Sequence, residues 1–476
     1  MAQNLRARLT RIREQRRDGA ASIGTAGPAK PAGPAGAAVY AGAGPEAMQR
    51  TGWIPAGDLV LRRTLTLPLS MPGVLPDTLP LLLPDLIGGT TPDRAGSGTF
   101  RVPRVEQFLF FDLETTGLSG GAGTVAFLAA FGRFVPGPSE EFSGLEITQI
   151  LLLDYPGEED FLEAVLGLLK FQDPFFLTTY NGKAFDSQIL KTRCLMNGLA
   201  LPPLLQADLL YPARRLWKRI LPNCSQATVE TMVLGLDRSG DPPGSMAPGI
   251  WFDFLRAGAG LSGGPEAAAL QGICDHNVRD IFGLASLFRT FTDIAAAPLD
   301  AIRRFYCDGE NLALRWRRAL RHDPRSGEGL DPAARKELEE TAFALLREAA
   351  EIYPRCCLRL AFDLRAGGRY KEGRERLLFL RNRRTTEPAG EKPLGRECTV
   401  SIKALALRTL AIDAERQLGR GDLALAYVEE ALALEPAGTA GETAAANPAL
   451  PRSLREDLER RRERLIHKPG FWNKLI

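Results

Sequence analysis

Phe108-Leu109-Phe110-Phe111-Asp112-Leu113-Glu114-Thr115-Thr116-Gly117-Leu118 sets two carboxylates inside an apolar, aromatic-rich run. The run reads as a buried β-strand, ended by the glycine-rich segment Ser119-Gly120-Gly121-Ala122-Gly123. Side chains alternate along a strand, so Asp112 and Glu114 share one face. Two like charges on one partly buried face repel each other and lose hydration, and something must compensate. A divalent cation does this, and hard oxygen ligands suit Mg²⁺ or Mn²⁺. Taken alone, the tripeptide also admits an exposed strand end with solvated acids.

Two further segments carry acids in suggestive company. Thr179-Tyr180-Asn181-Gly182-Lys183-Ala184-Phe185-Asp186 follows the apolar run Pro174-Phe175-Phe176-Leu177, which predicts a strand, a turn at Asn181-Gly182 and a helix opening near Asp186. An acid there also suits the positive end of a helix without any metal. Cys274-Asp275-His276-Asn277-Val278-Arg279-Asp280-Ile281-Phe282-Gly283-Leu284-Ala285-Ser286-Leu287 has the apolar spacing of a helix. His276 and Asp280 are four apart and share one helix face, as a surface His–Asp pair also would. The chain has 3 histidines in all, the others being His322 and His467.

Together these segments resemble the motifs of the DEDD-type 3′–5′ exonucleases, the DnaQ-like branch of the ribonuclease H-like fold. The resemblance implies four carboxylates, Asp112, Glu114, Asp186 and Asp280, around two divalent ions, Mg²⁺ or Mn²⁺, with Asp112 as the shared ligand. It assigns His276 the role of general base, beside Asp112 and Glu114 as catalytic residues. In the family the histidine subclass puts four residues between base and aspartate, and the tyrosine subclass three. Here a histidine stands at the tyrosine-type spacing.

A longer succession lies between the second and third motifs. Ala207-Asp208-Leu209-Leu210-Tyr211-Pro212-Ala213-Arg214-Arg215-Leu216-Trp217-Lys218-Arg219 leads into Leu221-Pro222-Asn223-Cys224-Ser225-Gln226-Ala227-Thr228-Val229-Glu230, then Gly235-Leu236-Asp237-Arg238 and Gly240-Asp241-Pro242-Pro243-Gly244. It is similar to the YprB-type subgroup of ribonuclease H-like domains, which are bacterial and often carry a tetratricopeptide-like region. The likeness spans residues from about 105 to 295. Asp208 reads as a helix N-cap. Arg214, Arg215, Lys218 and Arg219, with Tyr211 and Trp217, have the character of phosphate contacts and a base-stacking platform, or of a solvated basic helix face with Trp217 in the core. Asn181, Arg214, Arg215 and Lys218 are the nucleic-acid-binding candidates.

Composition fits a soluble, cytoplasmic chain of two or three domains. The 476 residues are 45% hydrophobic, enough for a sizeable core. A net charge of +3 gives no strong whole-molecule field, so attraction to nucleic acid must come from local patches. Seven cysteines without Cys-x-x-Cys spacing, two of them adjacent at Cys356-Cys357, indicate a reducing compartment. No apolar run is long enough for a membrane helix, and the Arg-rich start lacks the apolar core of a secretory signal.

The chain divides by character. Residues 1–50 read as a disordered basic tail with an Ala-Gly-Pro-rich linker at 18–47. Residues 51–104 hold Trp53, a strand at Leu59–Leu67 and a Pro/Leu-rich stretch, Met71–Leu86, expected as an extended arm. Residues 105–295 alternate strands (Phe108–Asp112, Thr124–Phe134, Leu145–Leu153, Pro174–Thr179) with a helix at Glu158–Lys170. That is an α/β pattern, a ribonuclease H-like mixed sheet flanked by helices. Residues 300–476 predict an all-α domain of helical hairpins. Gly419–Pro436 resembles half of a tetratricopeptide repeat, and Gly367–Gly373 is a weaker echo at irregular spacing. Such a domain either holds a protein partner or braces the nuclease, and two hairpins favour bracing. The reading is a metal-dependent 3′–5′ exonuclease on single-stranded DNA or RNA ends; the other class is a catalytically weak nucleic-acid-binding adaptor that recruits a protein partner. Neither reading involves a membrane.

Overall fold

The structure, a computed structural model, describes residues 52–86, 102–117, 123–137, 141–170, 175–238, 240, 244–257, 264–319, 332–384, 398–434 and 450–467. The N-terminal tail and linker expected at 1–50 lie outside them, as does Pro436. Seven strands form one mixed sheet: β1 (Ile54–Gly57), β2 (Val60–Met71), β3 (Phe108–Thr115), β4 (Ala126–Pro136), β5 (Phe142–Leu152), β6 (Phe176–Thr179) and β7 (Leu205–Asp208). Their order is β1-β2-β5-β4-β3-β6-β7. The β3, β4 and β5 strands run antiparallel to their neighbours as a meander, whereas β6 and β7 are parallel to β3. Helices α1 (Glu158–Leu168) and α2 (Asp186–Met196) make the crossovers that parallel pairing requires.

The alternation in Phe108–Thr115 decides which layer each side chain enters. Phe108 and Phe110 belong to one core and Leu109, Phe111 and Leu113 to the other. The long helix α5 (Gly264–Ala296) covers the Phe108 face, where the Phe288 ring sits 4.4 Å from that of Phe108. Helices α1 and α4 (Ala247–Ala257) cover the opposite face, where Phe127 stacks on Trp251 at 5.2 Å. Each fully buried side chain of this size contributes about 1.5–3 kcal/mol. Glycine at 132 on β4 admits α5 closely, since a Cβ there would lie 2.5 Å from an Ile281 methyl.

The segment expected as an arm is part of the sheet instead. Strand β2 pairs with β5 from Val60 opposite Leu152 to Met71 opposite Phe142, and so satisfies the backbone N–H and C=O groups along that edge of β5. The proline-broken stretch after it is not extended: Leu79–Leu82 and Pro84–Leu86 form single helical turns, with prolines at turn starts where no N–H is needed.

After α3 (Leu210–Trp217), a short π-helical turn (Glu230–Leu234), α4 and α5, the chain is helical throughout its described residues. Helix α6 (Gly309–Ala319) lies against α3 and α7 (Pro332–Ile352). Helices α8 (Pro354–Ala366), α9 (Tyr370–Asn382), α10 (Val400–Arg416), α11 (Gly421–Leu432) and α12 (Arg452–Ile466) follow, each packed on its neighbours in sequence. Gly368 (φ +79°) and Gly419 (φ +65°) end α8 and α10 in left-handed turns, which reverse the chain into α9 and α11. Gly373 marks the α8–α9 crossing, where a Cβ would meet the Arg365 side chain at 2.6 Å.

Candidate metal centre

Asp112 and Glu114 stand on β3 and face α5. One ligand atom each from Glu114, His276 and Asp280 lies within 4.8 Å of the others, close enough to hold one cation. Asp112 is half-buried, and its desolvation raises its proton affinity well above the ordinary carboxylate range, followed by the charges of Asp280, Asp186 and Glu114. Burial, then Asp280 and Asp186, push Glu114 up to about 8. Burial and Asp208 push Asp186 up to about 7. The four predicted carboxylates thus converge closely enough to act on one another. In three of them desolvation and like charge raise the proton affinity, and a cation would relieve both. This donor set, hard, anionic and crowded, fits a divalent metal.

A sign follows for stability. Carboxylates whose folded pKa lies above the unfolded value stabilise the fold below about pH 4–4.5 and lose that contribution as pH rises through the folded values. In EDTA the melting temperature is therefore expected to fall from pH 5.5 to pH 9, and saturating Mn²⁺ to remove most of the slope. A flat metal-free profile across that window, measured by scanning calorimetry, would contradict the crowding.

A buried polar row positions Asp112. Across the sheet, Arg63 of β2 is opposite Gln149 of β5, Gln149 opposite Ala130 of β4, and Ala130 opposite Asp112 of β3. Arg63 Nε donates to Gln149 Oε1 at 2.6 Å, and Gln149 Nε2 donates to Asn277 Oδ1 at 2.7 Å. Asn277 Nδ2 donates to Asp112 Oδ2 at 2.7 Å, bridging over the small Ala130 side chain. Arg63 also pairs with Asp275 at 2.9 Å and lies 4.8 Å from the Trp53 ring, so Trp53 does anchor the N-terminal strands. Neither Asn277 nor Arg63 stood out in the sequence. Asn277 sits between His276 and Asp280, but only the register of three strands shows what it reaches.

The second acid-bearing loop is held by Asp208. Asn181 adopts a left-handed backbone (φ 69°), which asparagine tolerates, and its N–H donates to Asp208 Oδ1 at 2.8 Å. Lys183 N donates to Asp208 Oδ2 at 3.3 Å, and Leu210 N to Oδ1 at 3.0 Å. Asp208 is not the N-cap expected from the sequence, since Leu209 holds that position; its carboxylate instead ties the turn before Asp186 to the first residue of α3. Gly182 is required there, since a Cβ would lie 2.5 Å from Thr179. The contact that Asn181 makes is through its main chain.

On α5, His276 Nε2 lies 3.3 Å from Asp280 Oδ2. Burial lowers the imidazole's proton affinity, Asp280 raises it in part and Arg238 lowers it further, so the ring is neutral near pH 7. Arg238, which the sequence reading did not single out, reaches Asp280 Oδ1 at 2.6 Å and also pairs with Glu230. Glu230 is fully buried on the π-turn, where burial, offset first by Arg238, puts its pKa at about 7. Gly283 makes room for it: a Cβ at that position would collide with the Glu230 carboxylate. Gly283→Ala is accordingly expected to cost about 1–3 kcal/mol in urea unfolding, the range for overpacking, and wild-type stability would show that Glu230 moves freely.

The basic helix separates into two groups. Trp217 is in the core, its Nε1 donating to Phe305 O at 2.8 Å, so it is no stacking platform. Apolar Leu210, Ala213, Leu216 and Trp217 share the buried face of α3, which leaves Tyr211, Arg214 and Lys218 exposed. Arg219 is engaged by Asp308 at 2.9 Å and Glu310 at 2.8 Å.

This sheet, with acids on β3 and on a crossing helix, has a ribonuclease H-like fold, and residues 109–292 match the family model of the RNase H superfamily. A protein of Bacillus subtilis (strain 168), uncharacterized protein YprB, is 39% identical to this chain over 185 residues. The shared stretch makes up 38% of this chain and 41% of that relative, so the likeness spans about two fifths of its length. Strands β1 and β2, with Arg63, precede the matched residues.

Proposed function

We propose that the chain is a metal-dependent 3′–5′ exonuclease that hydrolyses phosphodiester bonds at single-stranded DNA or RNA ends. The observation that carries this is the convergence of Asp112, Glu114, Asp186 and Asp280 on one face of a ribonuclease H-like sheet, with a neutral imidazole beside them. The four carboxylates would hold two Mg²⁺ or Mn²⁺ ions, with Asp112 shared. Such ions, when bound, acidify a water and screen the departing oxygen. Asn277 holds the Asp112 carboxylate toward the cluster, and Asp208 fixes the turn that presents Asp186. His276, whose Nε2 faces the Asp280 carboxylate and is oriented by it, would accept the water's proton at its other ring nitrogen, Nδ1. Arg214, Arg215 and Lys218 bind strand phosphates, and Asn181 lies in the turn that faces them across Asp208.

A second reading, a catalytically weak nucleic-acid-binding adaptor, draws on Asp280: Arg238 approaches one of its oxygens and His276 the other. The C-terminal hairpins, which we read as degenerate tetratricopeptide-like repeats, brace the nuclease in the first reading and hold a protein partner in the second. Among the described residues no helix is long and apolar enough to cross a membrane. The seven cysteines are all free, and with adjacent Cys356 and Cys357 both buried as thiols we place the protein in the cytoplasm. Strands labelled at the 3′ or the 5′ end separate the readings. Exonucleolysis releases labelled mononucleotide from the 3′-labelled strand in the first seconds with Mg²⁺ or Mn²⁺, and the 5′-labelled strand shortens stepwise. Binding of either strand with no shortening supports the adaptor.

A further inference from the structure

Helix α6, beyond the matched residues, places arginines beside α3 of the matched domain. Helices α3 and α6 are locked together: Asp308 N donates to Leu216 O at 2.8 Å, Asn311 Nδ2 donates to Arg215 O at 2.8 Å, and Arg219 pairs with Asp308 and Glu310. This fixes Arg215 of α3 beside Arg315 and Arg318 of α6. Burial, then Arg215 and Arg318, bring Arg315 down to about 10, and Arg215 is lowered by burial with Asp85 offsetting part of it. One Arg215 guanidinium nitrogen, NH1, is buried with no hydrogen-bond partner. Three guanidiniums held together on rigid helices repel one another, and an orphaned N–H adds to the cost. An anion relieves both, and phosphate oxygens match the guanidinium fork.

The cluster is continuous with the candidate centre. Asp85 pairs with Lys183 at 2.7 Å, and Lys183 lies in the turn that presents Asp186. From that turn Asp85 links Lys183 to Arg215, which lies beside both Arg315 and Arg318, and Arg214 and Lys218 are exposed on the same helix as Arg215. A single anion would need one fork, whereas three clustered arginines joined through Asp85 to the turn before Asp186 suit more than one phosphate of a strand.

We propose that Arg315 and Arg318, with Arg215, form a phosphate-binding track that holds the body of a single nucleic-acid strand whose 3′ end lies at the carboxylates. Helix α6, which lies beyond the matched residues, is thereby part of the substrate site. This deepens the nuclease reading and rests on it for the direction of the strand, while binding itself needs no hydrolysis. The test uses the full chain in EDTA, so that a failure of the hydrolytic reading leaves it intact. Affinities for 4- and 20-nucleotide strands are measured by fluorescence anisotropy over a salt series. Arg315→Gln/Arg318→Gln is expected to weaken the 20-nucleotide complex about 10-fold, and to reduce its salt slope by about 1.4, at about 0.7 per lost phosphate contact. The 4-nucleotide complex should change less than 2-fold. Arg318→Glu alone, at an exposed position that leaves the fold intact, should act in the same direction. The control Arg452→Gln/Arg455→Gln, on α12, removes the same charge elsewhere. Equal losses for both strand lengths, losses matched by the control, or unchanged affinity and slope would each overturn the track.

Discussion

Asp112→Ala is expected to reduce hydrolysis at least about a thousandfold, roughly 4 kcal/mol of barrier, while the fold persists. Asp112 is the most crowded member of the cluster, acted on by all three other carboxylates after burial itself. Removing it deletes the shared ligand but also relieves like-charge repulsion, so in EDTA at pH 8–9 the variant should melt above wild type. It also leaves Asn277 without its acceptor, which offsets part of that gain. The pair of readouts matters, because a misfolded variant loses activity and melting temperature together. Activity within 10-fold of wild type would remove this site as the source of the chemistry.

His276→Ala is expected to lose roughly 10²–10⁴-fold in rate, the usual range for a general base, with divalent affinity retained. Burial, as the main cause, places the imidazole pKa below its ordinary value near 6.5. The wild-type rate should therefore rise with pH through an inflection below that value and stay level above it, and His276→Ala should lose the inflection. His276→Tyr, which creates the tyrosine-type arrangement at this spacing, should recover part of the loss. If His276→Ala matches wild type from pH 6 to 9, the imidazole is a structural group on α5. If instead divalent affinity falls with the rate, His276 is a ligand, as its place beside Glu114 and Asp280 also allows.

What was legible in the sequence was what repeats at short range. The alternation in Phe108–Thr115 put Asp112 and Glu114 on one face, and Asn181-Gly182 marked a turn with a real steric need. The ribonuclease H-like sheet and the helical C-terminal region followed from such patterns together with the family resemblance. Features that depend on distant register were hidden. Arg63 meets Gln149 across a strand pair 86 positions apart, and nothing local in Leu59–Leu67 says that its arginine is buried. Arg238 reaches Asp280 from a loop and is held by Glu230 on a π-turn, and neither segment has a periodic signature. Trp217 was ambiguous because an amphipathic basic helix looks the same whether its tryptophan faces a base or the Phe305 carbonyl. That the segment expected as an arm at 51–104 joins the sheet was missed because a proline-rich exit masked the length of β2.

The most direct measurement is anomalous diffraction from crystals of the full chain grown with Mn²⁺ and a short oligonucleotide. The expected result is two manganese peaks roughly 3.5–4 Å apart, with the Asp112 carboxylate between them and the His276 ring outside both coordination shells. A single peak ligated by His276, Glu114 and Asp280, with Asp112 turned away, would contradict the two-metal site.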